Sequence, residues 1–528
     1  MTAPRTIAEL LAAHTADADQ VFLVWDDARL SFGEAEARSG RLAQALLNAG
    51  VSKGTHVGLL YPNGVDYVLA FLAVTRLGAV AVPMSTFSTP GELAWLLRNA
   101  DVEVLLSAEG YRNRNFRDVL GQALADTDLA AEPLYLPDAP SLRRIYISAA
   151  GADRGFDGVV SRTGLAPASL VAAAGRAVTP ADRMVIVHTS GSTSDPKGVM
   201  HTHGGVLDHV ANLNRVRDLK ASDVLFSPSP FFWIGGLVYS LLSAMQAGAR
   251  LVGSGAPEAS KVLDVIERER PNLCNGFAGG VAHFPKDPSF AGRDLSFLRK
   301  GNMYPLLPDD VRPADPDLRH QMLGTTETAS VWLTDPDESD LPERLRGSFG
   351  RPGPAAALRI VDPDTGHECG VGEIGEMWIR GPFVMEGYYG RERGQVFTPD
   401  GWYRSGDLAY ANEDGYVFFK GRNNDMIKSA GANVSPREVE TALREVTGGL
   451  MTYVVGVEDP GRGQIVGAAI VGATDEDVRL ETLKPKLAAK LSSYKLPRKI
   501  VSLAEAEVPM LSSGKVNMRA LAELIRDR

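Results

Sequence analysis

Cysteine is almost missing from this 528-residue chain: there are two, Cys274 and Cys369, far apart in sequence. That excludes a disulfide framework and a cysteine-rich metal centre, and it suits a reducing compartment. Long apolar runs are missing as well. The most apolar stretch, Tyr67 to Met84, is interrupted by Arg76 and is short for a membrane span, so it reads as a buried helix followed by a buried strand. The opening MTAPRTIAELLAAHTADADQ has helical character but no continuous apolar core of the signal-peptide kind. No run of one charge sign occurs either. The 55 basic and 65 acidic residues leave a formal charge of −10 spread along the chain. This excludes a basic nucleic-acid footprint and a polybasic membrane anchor. The expectation is a cytoplasmic protein with no nucleic-acid partner and no integral membrane segment.

What is present is ordinary globular composition, 44% hydrophobic and 23% charged, on a chain too long for one core. The first half alternates helical and strand-like segments. Arg41 to Asn48 has apolar residues at helical spacing and stops at Gly50; His56 to Tyr61 and Ala79 to Val82 read as strands; Asn63-Gly64 introduces a helix. Repeated βα order predicts largely parallel sheets covered by helices. Residues 108 to 183 carry little pattern and receive no assignment. From Gly353 the chain predicts shorter strands, with Ile374, Met377 and Ile379 as the apolar set of one of them and Asp414-Gly415 as a hairpin turn. A second domain is expected after Arg422. Its first helix starts at Ser435-Pro436-Arg437-Glu438 and carries Val439, Ala442, Leu443 and Val446 on its apolar face.

The chemistry-bearing segment follows the strand Met184 to Val187. Thr189, Ser190, Gly191, Ser192, Thr193 and Ser194 lead to Lys197-Gly198, so hydroxyls and free backbone precede a mobile cation. Such a loop can surround polyphosphate oxygens with donors. It is not a Walker loop, because Pro196 stands where that motif has glycine and Gly198 where it has Ser or Thr.

Thr189 to Val199 resembles the signature loop of the adenylate-forming superfamily, which holds acyl-CoA synthetases, peptide-synthetase adenylation domains and luciferases. Four more motifs follow in that family's order: Gly324-Thr325-Thr326-Glu327, Gly401 to Asp407, Gly421 to Lys428, and Ser512 to Val516. The resemblance implies an α/β fold: a large N-terminal domain (1–422) with βα-layered sheets and a small β-barrel-like region, and a small mobile α+β C-terminal domain (423–528). It implies an ATP-dependent acyl-CoA synthetase that makes an acyl-AMP and passes the acyl group to CoA, with Mg²⁺ as the metal. On this reading the loop Thr189 to Lys197 holds the phosphates, Glu327 carries Mg²⁺, Thr326 donates to the α-phosphate, and Asp407 and Arg422 hold the ribose. Lys515 bridges carboxylate and phosphate. Asn302, Met303, Tyr304, Met322, Leu323 and Gly324-Thr325 are expected around the nucleotide, and Ala430-Gly431 on the face presented to CoA.

Several positions depart from the family pattern. Leu323 replaces an aromatic residue that stacks on the base, and Asn302-Met303-Tyr304 interrupts a Gly/Ala-rich stretch, so Tyr304 is expected either to restore the aromatic surface or to close the acyl pocket. Asn424 replaces a charged hinge residue. Phe232, Trp233, Gly276 and Phe277 correspond to the acid pocket; Trp233 stands where amino-acid-activating domains have Asp, which points to an uncharged fatty, alicyclic or aryl acid. The pair His201 and His203 has no third ligand to make a metal site. The readings kept beside the main one are an acyl-AMP ligase serving a carrier protein and a nucleotide-binding pseudoenzyme. No carrier domain follows Arg528, which favours free CoA, and the oligomeric state is open, a homodimer included.

Overall fold

The helix Val65–Arg76 is withdrawn from water along its whole length: all of it is buried except Asp66 and Arg76. Its companion strand Val80–Pro83 is buried at every position. A strand with no polar face belongs inside a parallel sheet covered on both sides, and that is where it lies. The computed structural model describes the chain except residues 1–3, 126, 149–155, 190–195, 277–280, 282, 337, 354, 364, 423–426, 430–431, 435, 475, 477 and 511–515, and the side chains at 317, 421, 422, 433 and 437.

Val80–Pro83 belongs to a seven-stranded sheet whose order is Gly387–Tyr388, Lys197–Thr202, Arg183–Thr189, Val80–Pro83, His56–Leu60, Val104–Ala108, Arg144–Ser148. From Arg183–Thr189 to Arg144–Ser148 the neighbours run parallel. The edge pair of Lys197–Thr202 with Gly387–Tyr388 is antiparallel. A second sheet runs Leu273–Cys274, Val224–Phe226, Arg250–Gly253, Val21–Trp25, Ala28–Ser31, parallel but for its last strand. The unpatterned region 108–183 contributes the strand Arg144–Ser148 and the short helices Phe116–Ala123, Asp157–Thr163 and Ala168–Ala177.

Beyond Leu323 the sheets become antiparallel, one of three strands (Leu323–Thr325, Ser330–Thr334, Arg351–Pro352) and one of four (Ala357–Val361, Gly375–Arg380, Tyr403–Ala411, Val417–Arg422). The Asp-Gly turn is present: Gly415 sits at φ +78°, and the Asn412 side chain accepts from the Asp414 and Tyr416 N–H groups. Ile374 corrects the expected strand phase. It precedes Gly375–Arg380 and is exposed, while Met377 and Ile379 face the core. Side chains alternate across a strand, so an even-numbered residue cannot share the face of 377 and 379.

The chain divides into two compact units: Met1–Thr86, Leu96–Val187 and Gly198–Lys420 in the first, and Phe87–Trp95, His188–Lys197 and Gly421–Arg528 in the second. In the second, Thr452–Asp459 and Gly463–Val471 form a long antiparallel pair, and Lys499–Leu503 adds a parallel neighbour. Helix Pro436–Val446 presses Val439, Ala442 and Leu443 against Val454, Val466 and Ile470, with Val446 at the margin. Ser435, expected as its cap, lies outside the described residues.

Candidate active site

The centre of the site is a three-residue 3₁₀ turn, Thr326–Thr328, between the strands Leu323–Thr325 and Ser330–Thr334. Gly324 is required by the pairing: a β-carbon there would stand 2.5 Å from the Ser330 carbonyl oxygen. The turn is closed by the Thr328 hydroxyl, which donates to the Ser330 carbonyl at 2.9 Å, and by the Thr325 N–H, which donates to that hydroxyl at 3.0 Å. Ala329 and Ser330 take φ of +51° and +105°, values an L-residue adopts only against steric cost. Two consecutive such residues, both buried, mark a backbone held where it would not go by itself.

What that backbone holds is Glu327, whose side chain is buried. The Tyr388 hydroxyl donates to its Oε1 at 2.7 Å, and the Met385 N–H donates to its backbone carbonyl at 2.8 Å. Tyr388 in turn hydrogen-bonds to Tyr403, whose phenol burial pushes far above its ordinary range. On the other side, His201 donates from Nε2 to the Thr326 carbonyl at 2.6 Å. Burial lowers the His201 pKa to about 4, so at neutral pH the ring is uncharged with its proton on Nε2. The carboxylate of Glu327 and the carbonyl next to it are therefore both fixed by neutral partners. Glu327 Oε2 makes no hydrogen bond among the described residues, and a carboxylate oxygen is the donor a hard divalent cation prefers.

Asp407 lies on Tyr403–Ala411 and is almost fully buried. The strand is irregular there: its register against Gly375–Arg380 shifts between Glu376 and Trp378, and Gly406 sits at φ +72°. The Ser405 hydroxyl donates to the Met377 carbonyl at 2.6 Å and accepts from the Asp407 N–H at 3.1 Å. A bulge of this kind re-aims a side chain that a regular strand would fix by alternation. Trp402, of the same motif, is packed between the Arg359 and Arg380 guanidinium groups, each 4.5 Å from its ring.

A cavity of about 240 Å³ is lined by Tyr239, Asn275, Asn302, Tyr304 and Met322. Tyr239 comes from a π-helix, Gly235–Leu242, a rare conformation, and donates to Met322 Sδ at 3.1 Å. Asn302 spends its side-chain amide on the Gly276 backbone, accepting from N–H at 3.0 Å and donating to C=O at 2.7 Å. It positions the wall of the cavity. Tyr304 lines the cavity and packs against Leu306 and Met303. Met303 is fully buried beside Cys274, and Leu323 packs with Trp332, Met377 and Tyr388. Both side chains are in the core, whereas their neighbours Met322 and Tyr304 line the cavity. Phe232 and Trp233 stand edge to face, 5.5 Å apart, at the start of the π-helix.

Thr189 and Lys197 end the adjacent strands that enter and leave the phosphate loop. Ser190, Gly191, Ser192 and Thr193 of that loop, and Phe277, Ala430, Gly431 and Lys515, lie outside the described residues, as does the side chain of Arg422. By sequence Arg422 and Lys515 belong to the second unit, and Glu327, Thr326 and Asp407 to the first. No cluster of His, Cys, Asp and Glu able to hold a metal by protein groups alone occurs among the described residues, His201 and His203 included.

Comparison with known proteins finds two family matches along the chain. Residues 11–389 match the AMP-binding enzyme family, and residues 438–515 match the AMP-binding enzyme C-terminal domain. The chain is 30% identical to YngI of Bacillus subtilis, over 98% of its own length and 96% of YngI. It is 30% identical to an indoleacetate–CoA ligase of Aromatoleum aromaticum, over 94% and 93% of the two chains. Its fold is shared with the amide bond synthetase McbA of Marinactinospora thermotolerans, with a TM-score of 0.77 at 24% identity over 98% of this chain and 99% of that one.

Proposed function

As the chain belongs to the AMP-binding enzyme family, we propose that it is an AMP-forming acid–thiol ligase, an acyl-CoA synthetase using ATP, an uncharged carboxylic acid and CoA. The observation that carries the reading is the strained, buried Glu327 turn, with its carboxylate held by Tyr388 next to the Asp407 bulge. A carboxylate is a poor acyl donor because its leaving group would be an oxide. Transfer to the α-phosphate of ATP makes a mixed anhydride from which a thiol displaces AMP. Such transfers ask the protein mainly for charge neutralisation and alignment.

The residues divide that task. Thr189 to Lys197 binds the β- and γ-phosphates, Thr326 donates to the α-phosphate, and Asp407 with Arg422 accepts and supports the ribose. Lys515 neutralises the charge shared by carboxylate and α-phosphate. Glu327 would hold Mg²⁺, which supplies charge compensation to the phosphates when bound. Phe232, Trp233 and Gly276 receive the acid, and Tyr304 stands on the wall of the cavity that Tyr239 and Met322 also line. The relative that acts on indoleacetate supports an aryl or similarly apolar acid, and the aromatic walls agree with it. A cytoplasmic location and free CoA, rather than a carrier protein, complete the reading.

The test is pyrophosphate release with ATP, Mg²⁺ and a panel of carboxylic acids, with and without CoA. Release that depends on a particular acid, and turns over only with CoA, is the expected result. A burst of acyl-AMP that CoA does not discharge would identify a carrier-protein acceptor. ATP binding without release for any acid would identify a pseudoenzyme.

A further inference from the structure

The Asn63-Gly64 pair before helix Val65–Arg76 has no part in the chemistry above, yet the Asn63 side chain ends on the aromatic loop of the acid pocket. Its Nδ2 donates to the Ser229 carbonyl at 2.8 Å, and its Oδ1 accepts from the Phe231 N–H at 2.6 Å. Pro230 between them has no N–H to offer a backbone partner, so the amide takes up both polar groups that flank it, as a neighbouring strand would. Four residues further along the same helix entrance, the Tyr67 hydroxyl donates to the Phe231 carbonyl at 2.7 Å. Tyr67 is fully buried, and its ring and that of Trp25 enclose Phe231 at 5.5 and 5.3 Å.

The loop is held as tightly on its other flank. The Trp233 N–H donates to the Pro230 carbonyl at 3.1 Å, and a β-carbon on Gly236 would come within 2.0 Å of that same oxygen. The π-helix thus starts directly against the turn that Asn63 and Tyr67 grip. Three hydrogen bonds from one short stretch converge on residues 229–231, immediately before Phe232 and Trp233, the two side chains proposed to receive the acid.

We infer that Asn63 and Tyr67 are positioning residues for acid recognition: by fixing the backbone of Ser229 to Phe231 they set where Phe232 and Trp233 stand in the pocket, without touching the acid themselves. The inference rests on the proposed acyl-activating function. A residue in this role acts on the acid and not on the nucleotide, because the segment it holds leads through Phe232 and Trp233 into the π-helix that brings Tyr239 to the cavity wall, and the Thr326–Glu327 turn is held by other partners.

Asn63→Ala and Tyr67→Phe test it, alone and together, by acid-dependent ATP–pyrophosphate exchange across acids of graded size. Amide hydrogen exchange over residues 229–236 is followed on the same proteins without substrate. Loss of one or two hydrogen bonds to the loop is expected to raise KM for the preferred acid by about tenfold in Asn63→Ala and less in Tyr67→Phe. The order of preference among acids changes, amide exchange in 229–236 quickens, and KM for ATP stays where it was. The double variant falls short of the product of the two singles, because both grip one segment. Unchanged acid KM and ranking in variants with faster amide exchange would overturn the inference, as would acid and ATP KM rising together. If Asn63→Ala does not fold, Tyr67→Phe, which lacks a single oxygen, decides on the same readouts. A wild type silent toward every acid overturns the function itself, an outcome distinct from an active wild type matched by its variants.

Discussion

In the proposed reaction Glu327 is the residue that would carry the cation, and its surroundings make a definite demand on Tyr388. A phenol donating to a buried carboxylate at 2.7 Å holds the rotamer of that carboxylate. Hydrogen bonds to charged groups contribute about 1.5–3 kcal/mol, which is roughly ten- to a hundredfold in a rate or affinity. Tyr388→Phe is therefore expected to raise the Mg²⁺ concentration needed for half-maximal activity by at least about tenfold, with a small change in melting temperature. Titration of activity against Mg²⁺ in the two proteins measures it; equal Mg²⁺ dependence would show that Tyr388 does not hold the carboxylate for a cation. Asp66 makes a different demand. It stands in the first turn of Val65–Arg76, its Oδ1 is buried without a partner, and burial raises its pKa to about 6. A carboxyl raised in the folded state binds its proton more tightly there than in the unfolded chain. Stability therefore falls as pH climbs from about 4 to 6, and the cost is fully present above 6. Asp66→Asn removes that cost and should stabilise the protein at pH 7.5 by up to about 3 kcal/mol, with the gain vanishing below about pH 4. Urea unfolding of the two proteins at both pH values is the measurement, and a pH-independent difference would contradict the assignment.

Helix His203–Arg217 and the strand before it carry three buried imidazoles, His201, His203 and His209, each lowered to about 4 by burial. The unfolded chain takes up protons on them below about 6.5 and the folded chain does not, so stability is intact above 6.5 and is lost as pH falls toward 4. Each contributes up to about 3 kcal/mol to that loss. Denaturation midpoints should fall steeply between pH 6.5 and 4.5, and His209→Gln, which keeps a donor for the Val331 carbonyl, should flatten the slope. An unchanged slope would mean that these rings are protonated in the fold. The elements themselves were legible where local signals agree: Asn63-Gly64 opens a helix, Asp414-Gly415 closes a hairpin, and Pro436 with Glu438 starts the helix of the second unit. Helix Phe32–Asn48 was read only from Arg41, because its first half buries small residues, Ala35 and Ser39, that give no hydrophobic period. The region 108–183 gave nothing because its helices are short and bury one or two residues each. At the site, the motif residues stood out by residue type and spacing. Tyr388, His201 and Asn63 did not, since each acts on a partner 61 to 168 residues away and no spacing rule covers that.

At the scale of the whole molecule, the residues of the proposed reaction are divided between two compact units, with Thr326, Glu327 and Asp407 in one and Lys197, Arg422 and Lys515 in the other. Among the described residues no helix is long and apolar enough to cross a membrane. The division predicts separable effects. Lys515→Ala should slow adenylate formation by at least about a hundredfold, the scale on which one transition-state charge contact acts, while ATP binding stays within a few fold. Calorimetric titration with ATP beside the exchange rate distinguishes this from a general loss of binding. The central claim is that an acid is joined to AMP and then to a thiol, and it is met most directly by rapid-quench mass spectrometry of a single turnover. With ATP, Mg²⁺ and the preferred acid, acyl-AMP and pyrophosphate should accumulate together, and adding CoA should convert the adenylate to a thioester and AMP. ADP and phosphate as products, or no adenylate with any acid, would contradict the account.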